Sequence, residues 1–205
     1  MRVDWTLRGG PLILASLVLG PRAPPSDQEV PVTDLHHIPH QLDPEAATVR
    51  IVIETPKGSR SKYSYDPSTQ TCELTGHVPA GMAFPLDFGF VPSTLAEDGD
   101  PLDVLVVADE PIGIGTTVRV RLLGIIEAEQ RERDGRVVRN DRLLGRPIAS
   151  ITYDHAVHID HLGRSFVDHL GRFFVQYNEL RGKSFRVLAA KGPEAAIDAV
   201  SKASR

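Results

Sequence analysis

The sequence predicts an α+β domain in which short strands, arranged as a small barrel or sandwich, come first and helices come last. Two observations carry this: turn-bounded apolar segments recur from Val49 onward, and a helical stripe begins only near Asp160. The length of 205 residues suits one domain with an appendage. The single Cys72 excludes both an internal disulfide framework and a cysteine-rich zinc module.

The strands are read in order. Val49-Arg50-Ile51-Val52-Ile53-Glu54 alternates toward a buried face and stops at Thr55-Pro56-Lys57-Gly58, a turn signal. Shorter segments follow at Lys62–Tyr65, Cys72–Leu74 and Leu102–Val107, each bounded by Gly, Pro, Asp or Ser. Thr117–Glu127, entered after Gly113 and Gly115, is the longest candidate. No helical crossover separates these runs, so a βαβ sheet is disfavoured. From Asp160, the residues Leu162, Phe166, Leu170, Phe173, Phe174 and Tyr177 recur mostly at intervals of three and four, and the stripe ends near Gly182. Pro193 and Glu194 then open a final helix with Ile197 and Val200 on one face.

Residues 1–33 read as an N-terminal arm or a signal segment, and residues 34–205 as the folded domain. The first 45 residues hold 7 of the 16 prolines and no sustained periodicity. The apolar run Pro11–Gly20, preceded by Arg2 and Arg8, has the length of a signal-peptide core, whereas Asp4 and the pair Pro24-Pro25 disfavour cleavage. A cytoplasmic and an exported protein are both compatible with this pattern. No apolar stretch reaches the ~18 residues that cross a bilayer, so no membrane association is expected.

The net charge of −4 disfavours nucleic acid and anionic lipid as partners, because their binding is driven by an excess of Lys and Arg. Residues 1–48 contribute 3 bases and 6 acids, leaving a nearly neutral domain in which the signs separate. Glu97 to Glu110 carries six acids and no base, and Arg131 to Arg146 carries six arginines. This is ordinary surface charge or a site holding cations with one segment and an anion with the other.

The string Asp98-Gly99-Asp100-Pro101-Leu102-Asp103 favours the second reading. Three carboxylates within six residues, with Gly for a tight turn and Pro to stiffen it, can converge on a hard divalent cation. A calcium EF-hand loop would need Gly where Asp103 stands, and a helix where Val104-Leu105-Val106-Val107 reads as a strand.

These residues resemble the soluble inorganic pyrophosphatase family, of the Mg2+-dependent type with an OB-like barrel. The signature Asp-x-Asp-Pro-apolar-Asp-apolar is matched by Asp98 through Val104. The likeness extends through Val52–Pro56, Lys62-Tyr63, Phe84–Phe90, Gly124–Ile126, Arg142–Leu144 and Phe173–Tyr177. It implies a small closed OB-like β-barrel with flanking C-terminal helices, a homo-oligomer, and hydrolysis of pyrophosphate to two phosphates. By the same resemblance Asp98, Asp100 and Asp103 hold Mg2+, Asp100 also serves as base, and Glu54 acts through metal-bound water. Lys62 and Tyr177 contact phosphate.

Some positions depart from the family pattern. Ser64 stands where an acid is typical, Gly76 where an arginine grips phosphate, Phe84 and Phe88 where tyrosines are usual, and Asn178 where a lysine follows the helix tyrosine. After Ile126 two registers are open, one placing Asp134-Gly135-Arg136 on the family's Asp-x-Lys triplet and the other placing Asn140-Asp141-Arg142 there. Setting Asn140-Asp141-Arg142 on the family's Asp-x-Lys triplet keeps Leu143-Leu144 in a strand and makes Arg142 a phosphate ligand. Asp141, or a hairpin acid among Glu129, Glu132 and Asp134, is then the remaining metal carboxylate. A divergent, non-catalytic binder of metal and phosphoanion is the alternative on the same fold. His155, His158, His161 and His169 read as solvated or capping rather than as a zinc site.

Overall fold

Nine strands and two helices make up residues 34–205, the part of the chain that this computed structural model describes. The reading of residues 1–33 as an arm or signal segment lies outside the described residues. β1 (Thr48–Thr55) pairs antiparallel with β4 (Asp87–Phe90), and β4 with β5 (Asp103–Val106). β5 runs parallel to β8 (Arg142–Pro147), β8 pairs antiparallel with β6 (Thr117–Arg131), and β6 returns to β1. β7 (Val137–Arg139) and β9 (Ser184–Lys191) add to the far half of β6, while β2 (Ser61–Asp66) and β3 (Thr71–His77) form a separate hairpin.

The sheet separates two cores because successive side chains in a strand point to opposite faces. Val104 and Val106 join Ile51, Ile53, Val120 and Leu122 in one core, closed by Ala196 and Val200 of α2 (Pro193–Ala203). Leu105 and Val107 join Ile126 and Leu144 in the other, covered by Leu170 and Phe174 of α1 (Arg164–Glu179). One glycine is fixed by this packing: a Cβ on Gly89 would stand 1.9 Å from the Val52 carbonyl oxygen, where the β1–β4 register shifts.

The α+β organisation matches the sequence reading, with four differences. β6 continues to Arg131, carrying the arginine-rich segment out as a hairpin with β7. The apolar stripe is split: Leu162 closes a 3-10 turn, Ile159–Leu162, and Gly163 at φ 81 separates that turn from α1. His158 caps this turn and His161 lies within it, accepting from the backbone N–H groups of Asp160 and Val157 at 3.2 Å each, and His155 is exposed. Finally, β4 and β9 are strands that periodicity did not predict.

Candidate active site

The acid loop emerges between the β4 end and β5. Pro101 stiffens its exit, and Gly99 turns it at φ 95. The loop closes on the Ala96 N–H, which donates to the Asp100 carbonyl at 2.7 Å. Asp103, the first residue of β5, is thereby anchored to a strand whose next three residues are buried. Asp98, Asp100 and Asp103 border a cavity of about 450 Å³, whose other walls come from β1, β2, the β6–β7 hairpin, β8 and α1.

Two ion pairs cross this cavity. Lys62 Nζ lies 3.5 Å from Glu54 Oε2 and 4.0 Å over the Phe88 ring. Glu54 is further held by the Tyr65 N–H at 2.6 Å, which fixes β1 against the β2–β3 hairpin. Burial pushes the Glu54 carboxyl up, with the Lys62 ammonium opposing, and burial pushes Lys62 down against the pull of Glu54 and Asp103. Burial thus presses both groups toward neutrality, and their mutual attraction opposes it.

Arg142 opens β8 and donates to Asp103 Oδ2 at 2.5 Å. Its guanidinium carbon sits 5.4 Å from the Phe174 ring centre and 5.7 Å from that of Phe88. Its Nε is buried and finds no hydrogen-bond partner among the described residues. Burial also raises Asp98 and Asp103, and Arg142 opposes both shifts.

The residues predicted from sequence therefore meet with one exception: Glu54, Lys62, Asp98, Asp100, Asp103, Arg142 and Tyr177 all line the cavity. Asp141 does not. Its Oδ1 accepts from the Ala128 N–H at 2.9 Å and its carboxylate pairs with Arg139, which holds it in the link between β7 and β8. Of the three hairpin acids considered beside it, Glu132 reaches the cavity.

Arg142 opens a strand in which Leu143 pairs with Val104, and both Arg142 and Arg136, the basic residues of the two registers, line the cavity. The phenyl groups of Phe84 and Phe88 stand in the cavity wall. Asn178 is buried and donates to the Phe174 carbonyl at 2.9 Å, so it sends nothing into the cavity. Gly76 belongs to a neighbouring cavity of about 300 Å³ shared with Tyr177 and Arg181.

Sequence reasoning missed His36, Gln130 and Lys183, which also line the main cavity, and Arg136, the basic residue of the Asp134-Gly135-Arg136 register, lines it as well. His36 reaches it from a segment read as loop, packing 4.9 Å from Phe90 and 5.0 Å from Tyr65. Gln130 lies beyond the predicted end of β6. Lys183, next to a helix-ending Gly182, carried only the signal of a basic residue at a helix end.

The donor set facing the acid loop consists of carboxylate oxygens, the ligands preferred by a hard cation such as Mg2+. Among the described residues no group of three or more His, Cys, Asp and Glu side chains forms a ready metal cage. Hard oxygen donors opposite a buried lysine and arginine define a site for a metal-assisted reaction on a phosphoanion.

Comparison with known proteins gives the narrower assignment. The family model described as inorganic pyrophosphatase matches residues 51–205. The inorganic pyrophosphatase of Synechocystis sp. is 32% identical over 170 residues, which is 82% of this chain and 96% of that protein. That of Aquifex pyrophilus is 34% identical over 157 residues, 75% and 86% of the two chains. The crystal structure of inorganic pyrophosphatase from Thermus thermophilus superposes with a TM-score of 0.75 at 33% identity, covering 83% of this chain and 97% of that one. The chain belongs to the inorganic pyrophosphatase family.

Proposed function

We propose that this protein hydrolyses inorganic pyrophosphate to two phosphates, with Mg2+ as its metal. The observation that carries the proposal is the meeting of Asp98, Asp100 and Asp103 with Lys62, Arg142 and Tyr177 around one cavity, in a chain of this family. A bound divalent ion would neutralise the tetra-anion and make a water acidic enough to attack near neutral pH. The chain's own residues divide the remaining work. Asp98, Asp100 and Asp103 would hold the ion, and Glu54 would contact it through water. Asp100 accepts the proton of the attacking water, and Lys62, Arg142 and the Tyr177 hydroxyl orient phosphate oxygens. The aromatic wall around Arg142 lowers the local dielectric, which strengthens its charge-assisted hydrogen bonds to an anion.

We further read the ring of pairings from β1 through β4, β5, β8 and β6 as a closed OB-like barrel, and the protein as a homo-oligomer, by the family resemblance. Light scattering of the purified protein tests the second point, and N-terminal sequencing of the mature chain tests whether residues 1–33 are retained.

The test of function is phosphate release from pyrophosphate with Mg2+, for the wild type and Asp100→Asn. The wild type turns over, and the variant, lacking the proton acceptor, loses at least about 100-fold. A wild type no faster than the variant would refute the proposal. If calorimetry then showed uptake of intact pyrophosphate with Mg2+, the chain would be a binder on the same fold.

A further inference from the structure

Three ion pairs face the cavity, and they differ in how firmly they are closed. Lys62 with Glu54 is nearly sealed, at 14% and 10% side-chain exposure, and Arg142 is 8% exposed against Asp103. Lys183 with Glu132, Nζ to Oε2 at 2.7 Å, is the most open of the three, at 29% and 20%. A pair that open contributes little to stability, because water competes for both charges.

Lys183 is nevertheless well placed. Glu132 also accepts from Gln130 Nε2 at 2.5 Å, and Gln130 in turn accepts from Asn140 Nδ2 at 3.0 Å. Gln130 and Asn140 are buried, so the carboxylate that holds Lys183 is itself fixed by a buried amide pair. An ammonium has three donors and Glu132 engages one of them. The cost of ordering the lysine is therefore met before an anion arrives. The backbone places it too: Gly182, at φ 71, turns the chain after α1 so that Lys183, immediately before β9, lines the cavity.

We infer that Lys183, which lines the same cavity as the acid loop, is a substrate-binding residue, donating to a terminal phosphate oxygen from a position set by Glu132. This rests on the pyrophosphate reading above and adds a phosphate ligand from the α1–β9 turn. The bland reading is a tie between the β6–β7 hairpin and that turn. A second contact already makes such a tie, since Arg133 Nε donates to the Arg181 carbonyl at 2.8 Å, and Arg133 does not line the cavity.

The test uses the full chain as wild type, Lys183→Gln, Lys183→Arg and Arg133→Ala. Calorimetry measures binding of methylenediphosphonate with saturating Mg2+, and steady-state kinetics separates KM from kcat for pyrophosphate. Lys183→Gln should weaken diphosphonate binding and raise KM by about 10- to 100-fold, the scale of one charge-assisted hydrogen bond, with a smaller change in kcat. Lys183→Arg, which keeps the charge, should recover most of the loss. Arg133→Ala should leave binding within about twofold of wild type. Lys183→Gln binding within about twofold of wild type, or an equal loss in Arg133→Ala, overturns the inference. The two readings fail separately. A wild type that binds diphosphonate through Lys183 but releases no phosphate sinks the hydrolytic function alone. A wild type that hydrolyses pyrophosphate with Lys183→Gln unaffected sinks this inference alone. A wild type that binds no diphosphonate sinks both.

Discussion

Replacing Arg142 with methionine tests whether the site's charges are held by one another. Arg142 is 6% exposed; its guanidinium donates to Asp103 and to the Asp141 carbonyl at 3.0 Å, and is walled by Phe88, Phe174 and Phe185. Methionine fills the apolar part of that space, so little cavity energy is lost. What remains is the Asp103 carboxylate without its partner. Breaking a buried pair from one side costs ~3–5 kcal/mol. Asp103 keeps 23% side-chain exposure, so water recovers part of this, and a loss of about 2–3 kcal/mol is expected. For a domain of this size that lowers Tm by roughly 5–10 °C.

The assay is thermal unfolding followed by circular dichroism at neutral pH with a chelator present, so that no cation substitutes for the guanidinium. Adding Asp103→Asn to Arg142→Met should restore more than half of the lost stability, because the cost lies in the stranded charge. Mg2+ should then raise the Tm of Arg142→Met more than that of the wild type, since only the variant presents an unpaired carboxylate to the ion. A Tm within about 1 °C of wild type, or a double variant melting no higher than Arg142→Met, would refute the reasoning.

Two further outcomes are independent of the site chemistry. Gly89→Ala places a Cβ 1.9 Å from the Val52 carbonyl oxygen and must push β4 from β1; denaturant unfolding should show a loss of about 3 kcal/mol or more, and a loss below ~1 kcal/mol would contradict the close approach. Asp109 ties down the turn after β8, accepting from the Ile151 N–H at 2.8 Å, the Thr152 N–H at 3.1 Å and the Ser150 hydroxyl at 3.0 Å, bonds that hold its carboxyl below the ordinary 3.8. Because its folded-state value is depressed, its stabilisation is fully present above 3.8 and disappears as pH falls through the lower folded value. The Tm gap between wild type and Asp109→Asn should stay constant from neutral pH down to about 5 and close below 3.8; a gap that persists in strong acid would sink the assignment.

What could be read from sequence follows from how each element is buried. β1 and β5 announce themselves because both faces are covered and their residues are β-branched or leucine. β9 shows nothing of the kind: of Ser184–Lys191 only Phe185 is buried, and its pairing with β6 rests on backbone hydrogen bonds that carry no side-chain signal. β4, Asp87–Phe90, is buried throughout but only four residues long, too short for any period to register.

The site divides in the same way. The acid loop is local, so its spacing is visible along the chain. Lys183, His36 and Gln130 reach the cavity only through long-range packing, and their neighbours in sequence give no hint of it. Asp141 and Glu132 are the sharpest contrast. Asp141, in the link before β8, is taken up by the Ala128 N–H and Arg139, whereas Glu132, at the turn of a hairpin whose length sequence could not fix, lines the cavity.

The distribution of charge gives the site a further constraint. Three of the carboxylates on this cavity are already matched, Glu54 by Lys62, Asp103 by Arg142 and Glu132 by Lys183. Asp98 and Asp100 make no ion pair among the described residues, and both stand in the loop that offers oxygen donors to a cation. Pairing the three lets the chain fold around a polar cavity without stranding buried charge. It also sets the order of events on binding: a cation that takes up Asp103 frees Arg142 for an anion, so each ion makes room for the other. Metal and phosphoanion should therefore bind with positive coupling, and Arg142→Met, which removes one side of that exchange, should reduce the coupling more than it reduces the affinity for Mg2+ alone. Calorimetric titration of Mg2+ with and without methylenediphosphonate, in wild type and variant, measures both quantities, and equal coupling in the two proteins would exclude the exchange.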